Sequence, residues 1–302
     1  MTPRRVAVTG ASGFVGSALV AALRRDGSEV VTISRRAIEG QLQHEPASGG
    51  IDVNGLADAL KGVHAVVHLA GAAIGRRWTA GRKREILESR VQGTRLIAET
   101  LGRVGPPSPV LVSASAVGYY GDRGDEWLDE ESAPGAGFLA GVAVAWERAT
   151  EPAHAAGARV VRLRFGIVLG TAGGTLPRLL TPFSLGAGGR LGSGRQWMSW
   201  ISVDDLVAAI RFALATRALS GAVNAVSASP VTNAEFTATL ARVLARPAFV
   251  HLPAMALRLL FGQMAVETLL ASQRVRPARL ERAGFAFAQP SLEGALRHVL
   301  GR

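Results

Sequence analysis

Val6-Ala7-Val8-Thr9-Gly10-Ala11-Ser12-Gly13-Phe14-Val15-Gly16 decides how this chain folds. A short β-branched run ends in three glycines spaced G-x-x-G-x-x-G, and an apolar-periodic segment follows at once. Gly10 lets the chain leave the strand through a tight turn. Gly13 leaves backbone N–H groups open to a pyrophosphate, and Gly16 lets the following helix pack close to the strand. The opening amides of that helix, around Ser12, Gly13, Phe14 and Val15, carry the positive end of its dipole. Strand, glycine turn and helix in this order predict a dinucleotide-binding α/β fold, a Rossmann-type doubly wound parallel sheet.

Glu29-Val30-Val31-Thr32-Ile33 reads as the second strand, after a helix from about Gly13 to Arg25. Sites that prefer NAD place an acidic residue near the end of this strand, about twenty residues past the glycines, to hold the ribose 2′-hydroxyl. This chain has Ser34-Arg35-Arg36 there. Guanidinium groups clamp a 2′-phosphate that a carboxylate would repel. The expected cofactor is therefore NADP(H).

Composition narrows the rest. The 302 residues carry a net charge of +11, and Lys61 and Lys83 are the only lysines. The arginines are scattered, with no stripe interleaved with aromatics, so nucleic acid is not the expected partner. Cysteine is absent, which removes disulfides, thiolate catalysis and thiolate-bound metals. His44, His64, His68, His154, His251 and His298 show no ligand spacing, so no metal site is expected. The first strand is expected within a few residues of Met1, so no signal peptide is expected. The most apolar stretch, 252–271, is interrupted by Arg258, Gln263 and Glu267 and should not span a bilayer. The expectation is a cytoplasmic protein with a small-molecule substrate and no membrane partner.

Strand-like and helix-like segments alternate through the first half, which argues parallel pairing with crossover helices. Strands are expected at 64–69, 109–113 and 158–164, with helices at about 81–102 and 138–156. Past Gly166 the glycine density rises, and that stretch reads as loop-rich and near substrate. Thr232-Asn233-Ala234-Glu235 is a capping box opening a helix to about Leu244, and 252–272 reads as helical. The expected division is a cofactor-binding core over 1–165, its sheet completed by later segments, and a smaller, mostly helical substrate-side region over 166–302. Within that region, 250–302 is a small C-terminal domain.

The stretches Thr9 to Gly16, His68-Leu69-Ala70-Gly71 and Val112-Ser113-Ala114-Ser115-Ala116-Val117-Gly118-Tyr119-Tyr120-Gly121-Asp122 resemble the extended short-chain dehydrogenase/reductases in kind and order. Arg164-Phe165-Gly166-Ile167-Val168-Leu169-Gly170 resembles the family's strand and loop that reach the nicotinamide. Ser199-Trp200-Ile201-Ser202-Val203-Asp204-Asp205 resembles its W-I-H-V-D-D stretch, with serine for histidine. Arg77-Trp78-Thr79, Gly192-Ser193-Gly194-Arg195-Gln196-Trp197 and Gln273-Arg274-Val275-Arg276-Pro277 look like the atypical "NAD-dependent epimerase/dehydratase" subgroup. The resemblance implies cofactor contacts at Asp52, Val53, Leu69, Ala70, Gly71, Ser113, Gly166, Ile167 and Val168, and at Arg90, where relatives usually keep an asparagine. Relatives also often pair through helices like those at 81–102 and 138–156, so a homodimer is possible.

Members of this family use a tyrosine four residues before a lysine, whose ammonium lowers the phenol's pKa toward neutrality. Aligning Glu147 with an acidic residue that follows the pair in relatives puts Leu139 and Ala143 at those two positions. Tyr119 and Tyr120 are the only tyrosines, and neither Lys61 nor Lys83 lies four residues after one. The pair is absent. Ser115, Tyr119 and Tyr120 are the catalytic candidates in its place, with Lys83 nearby and Arg90, Arg195, Gln196 or Trp197 available to substrate. Two functions stay open: an NADP(H)-dependent oxidoreductase or epimerase-like enzyme, and a non-catalytic NADP(H)-sensing regulatory or protein-interaction module.

Overall fold

Val6, Ala7 and Val8 are apolar in succession rather than alternately, the pattern of a strand covered on both faces, and all three are buried. In the computed structural model, which describes residues 5–34, 42–43, 53–104 and 108–302, this run forms β1 (Arg5–Thr9) near the middle of a seven-stranded sheet. The other strands are β2 (Glu29–Ser34), β3 (Leu42–Gln43), β4 (Ala65–His68), β5 (Val110–Ala116), β6 (Val160–Phe165) and β7 (Gly221–Ala225). All pair in parallel, in the order β7-β6-β5-β4-β1-β2-β3. The order reverses between β1 and β4, which opens a crevice at their carboxyl ends.

Helices α1 (Phe14–Arg25), α2 (Val53–Leu60), α3 (Ala80–Val104), α4 (Phe138–Arg148) and α5 (Glu151–Ala155) follow in the first half. The second half contributes α6 (Leu176–Ser184), α7 (Val203–Ala215), α8 (Asn233–Leu244), α9 (Ala254–Phe261), α10 (Ala278–Arg282) and α11 (Leu292–Leu300). On one face of the sheet, Val6 and Val8 pack with Leu19 and Leu23 of α1 and Leu206 and Ile210 of α7. On the other, Ala7 packs with Leu60 of α2, Ile97 and Leu101 of α3, and Ala153 of α5. The fold is thus a doubly wound, Rossmann-type sheet. A separate apolar cluster around Phe183, Trp200, Phe236, Leu240 and Leu296 holds α6, α8 and α11 together beyond its carboxyl edge.

Two helical expectations break. Residues 138–156 form two helices, because Pro152 has no N–H and its ring crowds the carbonyl four residues back. Residues 252–272 contain α9, a stop at Gly262 (φ +60°), and a wide π turn over Ala265–Leu269. The capping box of α8 forms, with Thr232 and Glu235 bonding reciprocally.

Asp205 stitches the chain's end to the core. Its carboxylate accepts from Ala288 N (2.7 Å) and Gln289 N (3.0 Å), while Ser202, standing where the family motif has histidine, caps α7 by accepting from Asp205 N. Asp205→Ala removes the acceptor of two part-buried amides and should lower stability by about 1–2 kcal/mol, read as an earlier urea midpoint. An unchanged midpoint would show that the tail is held elsewhere.

Candidate functional site

At the end of β1 the backbone leaves no room for side chains. A Cβ on Gly16 would lie 2.1 Å from Gly10 O, and one on Gly10, at φ +68°, would lie 2.9 Å from Ala70 N. Gly13 precedes α1 as a cap without a side-chain bond, and the first turn of α1 contains no acid. Ser12 and Gly13 are exposed, so this helix start presents unneutralised amides at an open surface, which suits phosphate. Phe14 is overlain by the glycine-rich stretch that follows β6. A Cβ on Gly170 would approach Phe14 Cζ to 2.4 Å, and one on Gly173 would approach Phe14 Cβ to 2.7 Å.

The neighbouring strand ends converge on the same crevice. Thr9 Oγ1 and His68 Nδ1 are 2.7 Å apart, and Leu69 N donates to Thr9 Oγ1, which locks β4 to β1 as the chain turns through Ala70 and Gly71. Gly71 lies against Arg90, whose guanidinium carbon would be 3.3 Å from a Cβ there. Arg90 is partly buried, donates to Ile86 O, and lies 5.0 Å from the Trp146 ring centroid. It has no carboxylate partner among the described residues. Burial, and then repulsion from Arg82, lower its pKa to about 10. It is a cation still charged at neutral pH, beside the crevice, without an internal anion. Ser113 is buried in β5, and Gly166, Ile167 and Val168 follow β6, pinned by Gly166 N to Ala225 O and Ile167 N to Ser199 O. Arg178 of α6 reaches Gly75 O at 2.8 Å. Arg35, Arg36 and Asp52 lie outside the described residues. Ser34 ends β2, and Val53 begins α2.

Beneath the end of β5 is a buried polar network. Arg164 donates through Nε (2.7 Å) and Nη2 (2.9 Å) to the two oxygens of Glu147, and Ser115 Oγ donates to Glu147 Oε1 at 2.7 Å. Arg164 Nη1 donates to Tyr120 Oη at 2.9 Å, and that hydroxyl donates to Asn224 Oδ1 at 2.8 Å. Burial alone would depress the Arg164 pKa, but the Glu147 bonds outweigh it and hold the value above its ordinary range. Tyr120 is fully buried, and that burial pushes its phenol up to about 12 despite Arg164 and Asn224. Tyr119 differs: its ring face lies 3.5 Å from Arg164 Cζ, it is half-buried, and its hydroxyl bonds no described residue.

Sequence reasoning missed the partners that fix these groups. Arg164 inside an apolar strand signals a buried counter-charge, but nothing in the sequence identifies Glu147 or Asn224 as its neighbours. Nor does anything announce Glu267, whose carboxylate accepts from Phe138 N (3.0 Å) and Leu139 N (2.8 Å) and so caps α4 from 128 residues away. Gln263 joins Glu267 to Lys83. Leu139 packs in an apolar cluster, and Ala143 is buried. Gln196 donates to Leu191 O and Leu269 O, and the Trp197 indole donates to Asp125, so both have partners within the protein.

The raised phenol of Tyr120 sets an alkaline limit. In the unfolded chain it ionises near pH 10, whereas folding holds it protonated to about 12. Its contribution is therefore full below pH 10 and lost as pH climbs toward 12. Urea midpoints on either side of pH 10 should fall more steeply for the wild type than for Tyr120→Phe. Parallel curves would refute the assignment.

A family model for the NAD dependent epimerase/dehydratase family matches residues 6–225, and one for a domain of unknown function (DUF1731) matches 252–299. An epimerase family protein of Mycobacterium bovis is 46% identical over 300 residues, 98% of each chain. The crystal structure of human epimerase family protein SDR39U1 (isoform 2) with NADPH superposes with a TM-score of 0.89 at 33% identity, covering 99% of both chains. A nucleoside-diphosphate sugar epimerase of Corynebacterium glutamicum gives 0.81 at 38% identity, over 99% of this chain and 59% of that one. With both models in sequence and the likeness running end to end, the chain belongs to the NAD-dependent epimerase/dehydratase family, as an atypical short-chain dehydrogenase/reductase with a C-terminal domain of unknown function.

Proposed function

We propose that the chain binds NADP(H) across the β1–β4 crevice and moves hydride between its nicotinamide and a carbonyl or alcohol of a small-molecule substrate, as an oxidoreductase or epimerase-like enzyme. The observation that carries this reading is the glycine cradle, sterically closed to any Cβ at Gly10 and Gly16 and open to anions at the uncapped start of α1. The human relative crystallised with NADPH supports the same cofactor. Ser12 to Val15 would meet the pyrophosphate, and Arg90 would supply positive charge near Gly71. Arg35 and Arg36 follow β2 in sequence and would take the 2′-phosphate. Gly166 to Val168 would flank the nicotinamide.

A bound nicotinamide supplies the hydride chemistry, and the chain orients it and handles the proton. Of the three catalytic candidates, Ser115 and Tyr120 already spend their hydroxyls on Glu147, Arg164 and Asn224. That leaves Tyr119, whose hydroxyl bonds no described residue and whose ring faces a guanidinium. The rival reading, a non-catalytic NADP(H) sensor, draws on the apolar packing of Leu139 and the burial of Ala143.

Titrating NADPH and NADH by nicotinamide fluorescence tests the cofactor. NADPH should bind more tightly, and Arg35→Ala/Arg36→Ala should weaken it about tenfold to a hundredfold while sparing NADH, the scale of a lost charge-assisted clamp. No binding of either nucleotide would overturn the proposal. In a screen of carbonyl substrates, Tyr119→Phe should slow NADPH oxidation about a hundredfold, within the range of general acid catalysis, at unchanged NADPH affinity. Unaltered turnover would remove Tyr119 from the mechanism.

A further inference from the structure

Residues 170–203 contain no Asp or Glu, and neither do residues 236–266; together the two stretches hold six arginines. They fold against one another. Strand Gly189–Leu191 pairs with Val250–Leu252, Ala187 bridges Ala248, and Gly192 approaches Ala254 at the start of α9. On these joined elements the large apolar side chains point outward. Leu185, Phe249, Met255 and Leu259 are 77–88% exposed, and Leu260 is 58% exposed. Met255 and Leu259 share one face of α9 at i and i+4, whereas Leu257 is the helix's one buried residue. Apart from Arg258 the helix is apolar on its buried and its solvent-facing sides alike, so it leaves apolar surface in water.

Arg190, Arg195, Arg246 and Arg258, from the same two stretches, are exposed as well. Of the six arginines, Arg242 alone is in an ion pair among the described residues, with Glu293. We propose that this face docks the protein on an anionic lipid bilayer, with Phe249, Met255 and Leu259 entering the headgroup–acyl boundary and the arginines meeting lipid phosphates. A second copy does not fit. A two-fold contact sets the same surface against itself, bringing together two sets of arginines of which Arg242 alone has a carboxylate partner, Glu293, among the described residues. A groove-binding peptide fits no better, because the apolar side chains project from the surface.

The attachment is peripheral, since no helix among the described residues is long and apolar enough to cross a membrane. The lack of a spanning segment, which led the sequence to predict no membrane partner, does not bear on surface docking. The face also adjoins the crevice: Arg77, in the loop leading from β4, reaches Leu259 O at 3.4 Å. A docked chain therefore holds that loop beside the headgroups.

The test is co-sedimentation of the full chain with vesicles of phosphatidylcholine alone or mixed with phosphatidylglycerol. The chain should pellet with the mixed vesicles, be released by salt, and stay in solution with phosphatidylcholine alone. Phe249→Glu/Leu259→Glu should reduce the bound fraction about tenfold, as expected when apolar insertion is lost, with an unchanged thermal melt because both side chains are exposed. Arg246→Gln/Arg258→Gln, which keeps the apolar face, should weaken binding and flatten its salt dependence. Failure to pellet, equal pelleting without anionic lipid, or a dimer in sedimentation equilibrium that the Glu variant disperses would each overturn the proposal.

Discussion

The buried pair of Glu147 and Arg164 organises the end of the sheet where the crevice closes. Their side chains are 8% and 4% exposed, so neither charge can do without the other. Removing one leaves the partner desolvated and unpaired, a loss of about 3–5 kcal/mol, whereas the intact pair adds little net stability over a well-packed apolar one. Its consequence is geometric. A single guanidinium spends two edges on Glu147 and one on Tyr120, and it lays its face on Tyr119. The carboxylate it holds also takes the Ser115 hydroxyl. Helix α4, strands β5 and β6, and the tyrosine turn are thereby fixed to each other, and Asn224 extends the network to β7.

The resemblance puts Leu139 and Ala143 of helix α4 where the family pattern has its tyrosine and lysine. The helix's polar connections come from elsewhere. Gly137 offers no capping side chain, and the first amides are instead satisfied by Glu267, reached through a wide turn of the C-terminal region. Gln263 and Lys83 continue that chain of polar contacts back to α3. The C-terminal region is therefore part of the framework of this helix. A carboxylate at a helix start is favourable both as a hydrogen-bond acceptor and as a charge against the dipole.

The parallel sheet and the glycine cradle were legible because they follow from local pattern. Consecutive buried β-branched residues, glycines at fixed spacing and a capping box each act within a few positions. The helix breaks at Thr150 and Gly262 were less legible, since apolar periodicity runs through them and only Pro152 and Gly262 argue otherwise. The site's polar logic was hidden for a different reason. Glu147 and Arg164 are 17 residues apart, Tyr120 and Asn224 are 104 apart, and Glu267 lies 128 from Leu139. Those contacts are set by strand order and helix docking, so no window of sequence contains them.

The two adjacent tyrosines show how far this matters. Tyr119 and Tyr120 share a 3₁₀ turn, in which successive side chains diverge by about 120°. Sequence offers both hydroxyls equally to chemistry. The turn sends Tyr120 inward, where its hydroxyl donates to Asn224, accepts from Arg164, and is pushed up to about 12. A phenol so placed can neither meet substrate nor release its proton near neutrality without breaking its bonds to Arg164 and Asn224. Tyr119 stacks edge-to-face on Tyr120, with ring centroids 5.3 Å apart, and takes the guanidinium on its own face. Its ring is held by the same cation while its hydroxyl bonds no described residue. One tyrosine is thus spent on the scaffold, and the same guanidinium that holds it also holds the ring of its neighbour.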